Sequence, residues 1–222
     1  MVKWIVFDKM EECCAEDVAR LLPLVGESRR EKALKYKHVF GQWACLKACE
    51  LLCELLRTEG LWQGEVLPDF EYTEYGKPFL RGLPDFSISH CKEAVAVAVA
   101  VPEAGGAGEC AVGIDVEGVR VLNESLVERV MNDREQEQIG AAERQDEMFT
   151  RLWTQKEAVL KCRGTGIISE LKDVLTAHDG ESLPRLTTWT GGGGRYAVSI
   201  AEETHICQSA LRGRKRTEQG EV

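Results

Sequence analysis

Asp115 and Glu117 lie two residues apart in Gly113-Ile114-Asp115-Val116-Glu117. On a β-strand, that spacing puts both carboxylates on one side and turns Ile114 and Val116 to the other. Paired carboxylates repel each other, and a hard divalent cation relieves the repulsion. Magnesium, which takes oxygen ligands and keeps waters and substrate phosphates in its shell, suits them. Taken alone, the strand reads more readily as a polar face with no ligand. A third carboxylate, Glu157, falls in Trp153-Thr154-Gln155-Lys156-Glu157-Ala158-Val159-Leu160-Lys161. There the i,i+4 spacing of a helix sets Glu157 and Lys161 on one face together with Trp153. By itself that pair also reads as an ordinary exposed ion pair.

Two further groups could meet an anion. Ser89-His90 closes an alternating run from Phe86. Adjacent strand residues point to opposite sides, so the two are poorly placed as nucleophile and base, and no Gly-x-Ser-x-Gly elbow is present. Hydrogen bonding to a phosphate is the more natural use. Arg29, Arg30, Lys32, Lys35 and Lys37 form a basic cluster, and Lys77 stands in the turn Tyr75-Gly76-Lys77-Pro78. The cluster reads either as a solvated helix face or as a site for phosphate.

The composition bounds what these groups can serve. The chain has 222 residues, 44% apolar and 29% charged, with a net charge of −9. That balance argues against general binding to nucleic acid or an anionic membrane, both of which require a basic surface. The longest apolar run, residues 94–101, is too short to span a bilayer, and the N-terminal residues read as a strand rather than a signal peptide. A cytoplasmic location is the expectation. The nine cysteines include no Cys-x-x-Cys pair, which disfavours a zinc ribbon. Cys45, Cys49 and Cys53 repeat every four residues and read as a buried helical stripe of reduced thiols.

The elements that must position these groups follow from periodicity and punctuation. Strands are expected over 4–7, 86–90, 94–101, 111–117, 171–175, 186–189 and 196–201. Helices are expected over 16–22, 27–36, 40–57, 124–131, 133–142 and 146–162. The strand over 111–117 is read as returning from 94–101 through a loop or hairpin at 102–109. Asp133 is the expected cap of its helix, and Gly164 the expected end of the helix before it. Residues 191–194 are all glycine and read as a hairpin tip. No Gly-Lys-Ser/Thr follows them, so a phosphate loop is disfavoured. The reading is an α+β chain of two halves, 1–117 and 118–210, with a disordered tail over 211–222.

The ordered set Gly76-Lys77-Pro78, Phe86-Ser87-Ile88-Ser89-His90, Gly113-Ile114-Asp115-Val116-Glu117, Trp153-x-x-Lys156-Glu157-x-x-x-Lys161 and Gly164-x-Gly166 resembles the 4'-phosphopantetheinyl transferase superfamily. The length matches its single-chain Sfp type. The resemblance runs over residues 4 to 201 and implies two similar α+β subdomains arranged as a pseudo-dimer. It implies transfer of the 4'-phosphopantetheine arm of coenzyme A to a serine of an apo acyl or peptidyl carrier protein, releasing 3',5'-ADP. A protein that only binds coenzyme A or a carrier domain is the alternative.

The resemblance makes Asp115, Glu117 and Glu157 magnesium ligands, and Lys77, Ser89 and His90 contacts to the coenzyme A phosphates. Arg29, Arg30, Lys32 and Lys35 fall where the family has basic residues for the 3'-phosphate. Lys161 falls near the pyrophosphate, with Lys156 as a flanking basic residue. Glu157 would accept the serine proton, while Lys161 and His90 stabilise developing charge. The chain departs from the family in having Gly41-Gln42-Trp43 where an arginine is common, leaving Lys37 or Lys47 as possible substitutes. Cys91 also stands where a second serine is common. The implied carriers are those of fatty-acid, polyketide or nonribosomal peptide synthesis, and the implied state is a monomer.

Overall fold

The computed structural model describes residues 1–102, 108–166, 171–177 and 182–206, and for 108, 109, 205 and 206 the backbone alone. The expected tail over 211–222 and most of the loop over 102–109 lie outside these residues.

The first half opens on strand β1 (Val2–Phe7), then helices α1 (Ala15–Leu21), α2 (Glu27–Leu34) and α3 (Val39–Thr58). A two-residue ladder, β2 (Glu71–Tyr72) with β3 (Pro78–Phe79), precedes strands β4 (Phe86–His90) and β5 (Val95–Ala100). The second half runs β6 (Gly108–Gly118), α4 (Glu124–Val130), α5 (Asp133–Ala141), α6 (Gln145–Arg163), β7 (Arg185–Gly191) and β8 (Tyr196–Ile206). Each half builds a three-stranded antiparallel sheet of the same topology, ordered β1-β5-β4 and β6-β8-β7. In both, the opening strand pairs with the closing one, which takes the centre.

Residues 94–101 alternate valine and alanine, and both faces of β5 are buried. Val95, Val97 and Val99 join the core under α3, with Trp43, Leu46, Leu52 and Leu56. Ala96, Ala98 and Ala100 face the other way, against Val112, Ile114 and Val116 of β6 and Val198 and Ile200 of β8. Side chains of one carbon let the two sheets approach closely, so this small-residue face is the seam between the halves.

Three expectations are corrected. The strand over 111–117 does not pair back with 94–101. Both edges of β5 are already taken by β1 and β4, so β6 crosses to the second sheet and hydrogen-bonds with β8. The expected strand over 171–175 is a 3-10 turn at Leu171–Asp173. Its carbonyls are taken by side chains, Leu171 O by Lys156 Nζ at 2.8 Å and Lys172 O by Asn132 Nδ2 at 3.1 Å. Asp133 is the first residue of α5 and not its cap. Asn132 caps the helix through a reciprocal box with Glu135. Gly164 does end α6 in the left-handed region, at φ +68°.

Candidate active site

The strand alternation places the carboxylates as their spacing requires. Ile114 and Val116 enter the seam, which turns Gly113, Asp115 and Glu117 toward α6. Gly113 explains how closely α6 can lie. A Cβ there would stand 1.9 Å from Ala158 O and 2.4 Å from Cys162 N, so only glycine lets the helix rest directly on the strand. That contact brings Lys161 Nζ to 2.6 Å from Asp115 Oδ1. Ser89 Oγ donates to the same oxygen at 2.8 Å and accepts from Lys161 at 3.0 Å. Asp115 is 2% exposed, and its Oδ2 is buried without a hydrogen-bond partner.

The three carboxylates feel one another. Burial first, and then Asp115, push the Glu117 carboxyl up to about 7, with Glu157 adding to the rise and Arg120 and Lys161 opposing it. Burial and Asp115 likewise raise Glu157, while Lys161 lowers it. The site therefore holds more negative charge than its lysine neutralises. Among the described residues, no group of three or more acidic, histidine or cysteine side chains is gathered closely enough to hold a metal ion. The donors nevertheless suit a hard cation, with an orphaned buried carboxylate oxygen flanked by two carboxyls whose ionisation is disfavoured by burial and by Asp115.

On the other side of Ser89 opens a cavity of about 480 Å³ lined by Arg29, Lys32, Tyr36, Lys77, Ser89, His90, Glu157 and Lys161, with Gly76 and Gly164. Arg29 is 3% exposed. Its Nε donates to Cys49 Sγ at 3.1 Å and its Nη2 to Cys45 O at 3.3 Å, and the guanidinium lies over the Phe70 ring. Burial pushes the Cys49 thiol up to about 11, so it stays neutral. The guanidinium thus meets no carboxylate among the described residues. Lys32, one helical turn on, is lowered by burial and by Arg29. His90 is pushed down to about 4 by burial, then by Arg29, Lys161 and Lys32. It is a neutral imidazole near pH 7, in a pocket with unbalanced positive charge.

Of the sequence-predicted residues, Arg29, Lys32, Lys77, Ser89, His90, Glu157 and Lys161 line this one cavity, and Asp115 is tied to it through Ser89 and Lys161. The others separate. Arg30 donates to Leu22 O and Val25 O, holding the turn before α2. Lys35 is exposed at the end of α2 and does not line the cavity.

Lys156 is fully buried. Its ammonium lies 2.8 Å from Glu135 Oε1 and donates to Leu171 O, so it ties α6 to α5. Lys156 and Trp153 point away from the cavity, and Trp153 packs with Phe149 on the α4/α5 core. Lys77 Nζ donates to Asp85 Oδ2 at 2.6 Å, Val112 O at 3.2 Å and Cys162 O at 3.3 Å, so only its alkyl stem faces the cavity.

At the missing arginine, Gln42 Nε2 donates to Tyr36 O, and Trp43 is buried in the core. A Cβ at Gly41 would strike the Tyr36 ring at 2.7 Å. Lys47 is paired with Glu50 at 2.6 Å, while Lys37 lines a neighbouring cleft that shares Tyr36.

Sequence reasoning missed Asp85. It also missed the row Asp115, Ser199 and Thr188 that crosses the second sheet in register, where Thr154 of α6 meets Ser199 at 2.8 Å. These partners are set by strand register and helix docking, which no local pattern carries.

A buried anion pocket set against a cluster of surplus carboxylates, at the seam of two matched half-sheets, defines a protein that can hold a phosphorylated ligand beside a cation. The family model described as the 4'-phosphopantetheinyl transferase superfamily matches residues 111–210, from within β6 onward. The chain is 28% identical over 181 residues to the 4'-phosphopantetheinyl transferase psf-1 of Bacillus pumilus, covering 77% of this chain and 72% of that protein. It is 26% identical over 157 residues to the 4'-phosphopantetheinyl transferase Sfp of Bacillus subtilis, covering 68% and 66%. It is 32% identical over 143 residues to HetI of Nostoc sp., covering 59% and 56%. The chain thus spans about two thirds of the length of these relatives. A solved holo-[acyl-carrier-protein] synthase from Thermotoga maritima shares 22% identity at a TM-score of 0.35, over 47% of this chain and 73% of that one. The chain is similar to members of the 4'-phosphopantetheinyl transferase superfamily, in its second half by the family model and over about two thirds of its length by these relatives.

Proposed function

We propose that this protein transfers the 4'-phosphopantetheine arm of coenzyme A to a serine of an apo carrier protein, releasing 3',5'-ADP. The observation that carries the reading is the buried Arg29 guanidinium, uncompensated by any described carboxylate, in a cavity continuous with Ser89, Glu157 and Lys161. A phosphate is the counter-ion that such a pocket lacks, and a desolvated guanidinium suits it. Arg29 and Lys32 bind one phosphate of coenzyme A, and neutral His90 donates a ring N–H to it. Lys161 keeps one N–H beyond those given to Asp115 and Ser89, and it neutralises charge on the pyrophosphate as the bond to ADP breaks.

Glu157, with its carboxyl raised by burial and by Asp115, accepts the proton of the attacking serine hydroxyl. The serine oxygen bonds to the phosphorus next to pantetheine, and the phosphorus–oxygen bond to 3',5'-ADP breaks. Positioning and charge neutralisation carry most of such a transfer. Asp115, Glu117 and Glu157 are the residues that would hold magnesium. The ion, when bound, supplies charge neutralisation at the pyrophosphate.

The carrier enters through a cleft of about 1080 Å³ that shares Tyr36 with the phosphate cavity. Lys37 and Lys92 line it from the first half and Arg144 and Arg195 from the second, interspersed with Asp8, Glu11, Glu93 and Asp146, so the cleft offers a carrier local basic contacts within a mixed-charge wall. Both halves needed for the site lie in one chain, so we propose action as a monomer of two α+β units, 1–117 and 118–210, with β6 at their join. Among the described residues, no cysteine forms a disulfide and no helix is long and apolar enough to cross a membrane. We place the enzyme in the cytoplasm.

The deciding test is incubation with coenzyme A, magnesium and a panel of apo carriers from fatty-acid, polyketide and nonribosomal peptide systems, weighing the carriers by mass spectrometry. Gain of one phosphopantetheine, abolished by EDTA, is expected. Coenzyme A binding with no gain on any carrier would leave a binding protein.

Magnesium affinity should also depend on pH in a defined direction. Burial and Asp115 push the Glu117 carboxyl up to about 7 in the folded protein, above the ordinary carboxylate range that it returns to on unfolding. The cation-free protein therefore loses stability as pH rises through that window. A cation that requires the ionised form restores it. Magnesium should raise the melting temperature more at pH 8 than at pH 6, and an equal shift at both would count against Glu117 as a ligand.

A further inference from the structure

The turn lysine of Gly76-Lys77-Pro78 is placed differently from a phosphate ligand. An ammonium has three N–H donors. All three of Lys77 are directed at protein acceptors: Asp85 Oδ2 at 2.6 Å, Val112 O at 3.2 Å and Cys162 O at 3.3 Å. Asp85 Oδ2 is itself bonded to Val112 N at 2.8 Å. The lysine side chain is 13% exposed. One carboxylate and one ammonium thus join four segments: the turn before β3, the start of β4, strand β6 and the last turn of α6. Two belong to the first sheet's half and two to the second. Cys162, whose carbonyl is held, directly follows Lys161. The Lys77 stem also runs past Gly164, where a Cβ would lie 3.3 Å from Lys77 Cδ.

We propose that Lys77 with Asp85 is a positioning clamp. It anchors the C-terminal turn of α6 to the first half and so holds Lys161 in reach of Asp115 and Ser89. The Lys77 ammonium is committed to protein acceptors and is not a phosphate ligand. The proposal rests on the transferase reading for its kinetic consequence, but the clamp itself does not. The two views of Lys77 diverge at Asp85, which does not line the phosphate cavity. If Lys77 bound phosphate, removing Asp85 would free its ammonium and leave coenzyme A affinity unchanged or tighter. If Lys77 is a clamp, removing either partner has the same effect.

The test compares Lys77→Met, Asp85→Asn, the double variant and Lys77→Arg in the full chain. Titration calorimetry gives the coenzyme A Kd, steady-state transfer gives kcat, and thermal melts without ligand give stability. The clamp predicts a fall in kcat of about tenfold or more in both single variants, read at a temperature where each is folded. The double variant is no worse than either single, and Kd stays within about threefold of the parent. Lys77→Arg recovers part of kcat. A Kd weakened tenfold by Lys77→Met but unchanged by Asp85→Asn would overturn it. So would melting temperatures that fall while kcat holds, because the pair would then be structural only. If the parent neither binds coenzyme A nor transfers it, the transferase reading fails. The melts still decide the clamp: additive losses in the double variant would refute it, and non-additive losses would support it.

Discussion

Replacing Arg29 with methionine is expected to weaken coenzyme A binding by roughly 10- to 100-fold while leaving the ligand-free protein at least as stable as the parent. The two effects have opposite signs because the residue is a buried charge without an opposite charge beside it. In the free protein the guanidinium has a thiol, a carbonyl and an aromatic face as partners. None of these offsets the loss of water as a carboxylate would. It also acts against Lys32 and His90, both of which it pushes down.

Methionine keeps the unbranched apolar stem against Phe70 and removes the charge. A phosphate in the cavity would pair with Arg29, and a charge-assisted hydrogen bond of this kind contributes about 1.5–3 kcal/mol. Calorimetry for affinity and a thermal melt for stability check the pair of outcomes. A variant that melts well below the parent yet binds coenzyme A normally would show Arg29 to be structural.

Asp115→Asn is expected to lower transfer by about 10²–10³-fold or more, the scale of removing one preorganised electrostatic partner from a reacting centre. Its melting temperature should move by only a few degrees. Asparagine keeps the shape and one acceptor for Ser89, but it removes the charge that pairs with Lys161 and the orphaned oxygen offered to a cation. Little stability is lost because Asp115 also repels Glu117 and Glu157, and that repulsion disappears with it. The carrier mass assay measures the first effect. The magnesium-induced melting shift, expected to vanish in the variant, measures the second. Full turnover by Asp115→Asn would remove the carboxylate cluster from the mechanism.

Much of the site is legible from local spacing. Two-residue periodicity sends Asp115 and Glu117 one way and Ile114 and Val116 the other, and the cores confirm it. The same periodicity separates Ser89, bonded to Asp115, from His90, whose ring meets Tyr36 edge-on at 6.2 Å. Helical spacing puts Glu157 and Lys161 on the cavity together. The alternation of valine and alanine over 94–101 marks a strand buried on both faces. Even the valley that α6 occupies is foreshadowed by a glycine, Gly113, although only the docked helix shows what the missing Cβ makes room for.

The sequence by itself determined which chemical groups are available and, through the periods of strand and helix, which neighbours share a face. Only the tertiary structure decided which of several equal-looking charges reach the site. Arg29 and Arg30 are adjacent and alike in charge, yet one is buried facing the cavity and the other ties a turn. Lys156 and Lys161 lie on one helix, yet the first pairs with Glu135 in the core and the second meets Asp115. Lys77 looks like a ligand in its turn and is bonded instead to Asp85 and two carbonyls of the other half. The physical reason is the same in each case. A residue's face is set by its own backbone, but its partner is set by strand register and helix docking between segments far apart in the chain.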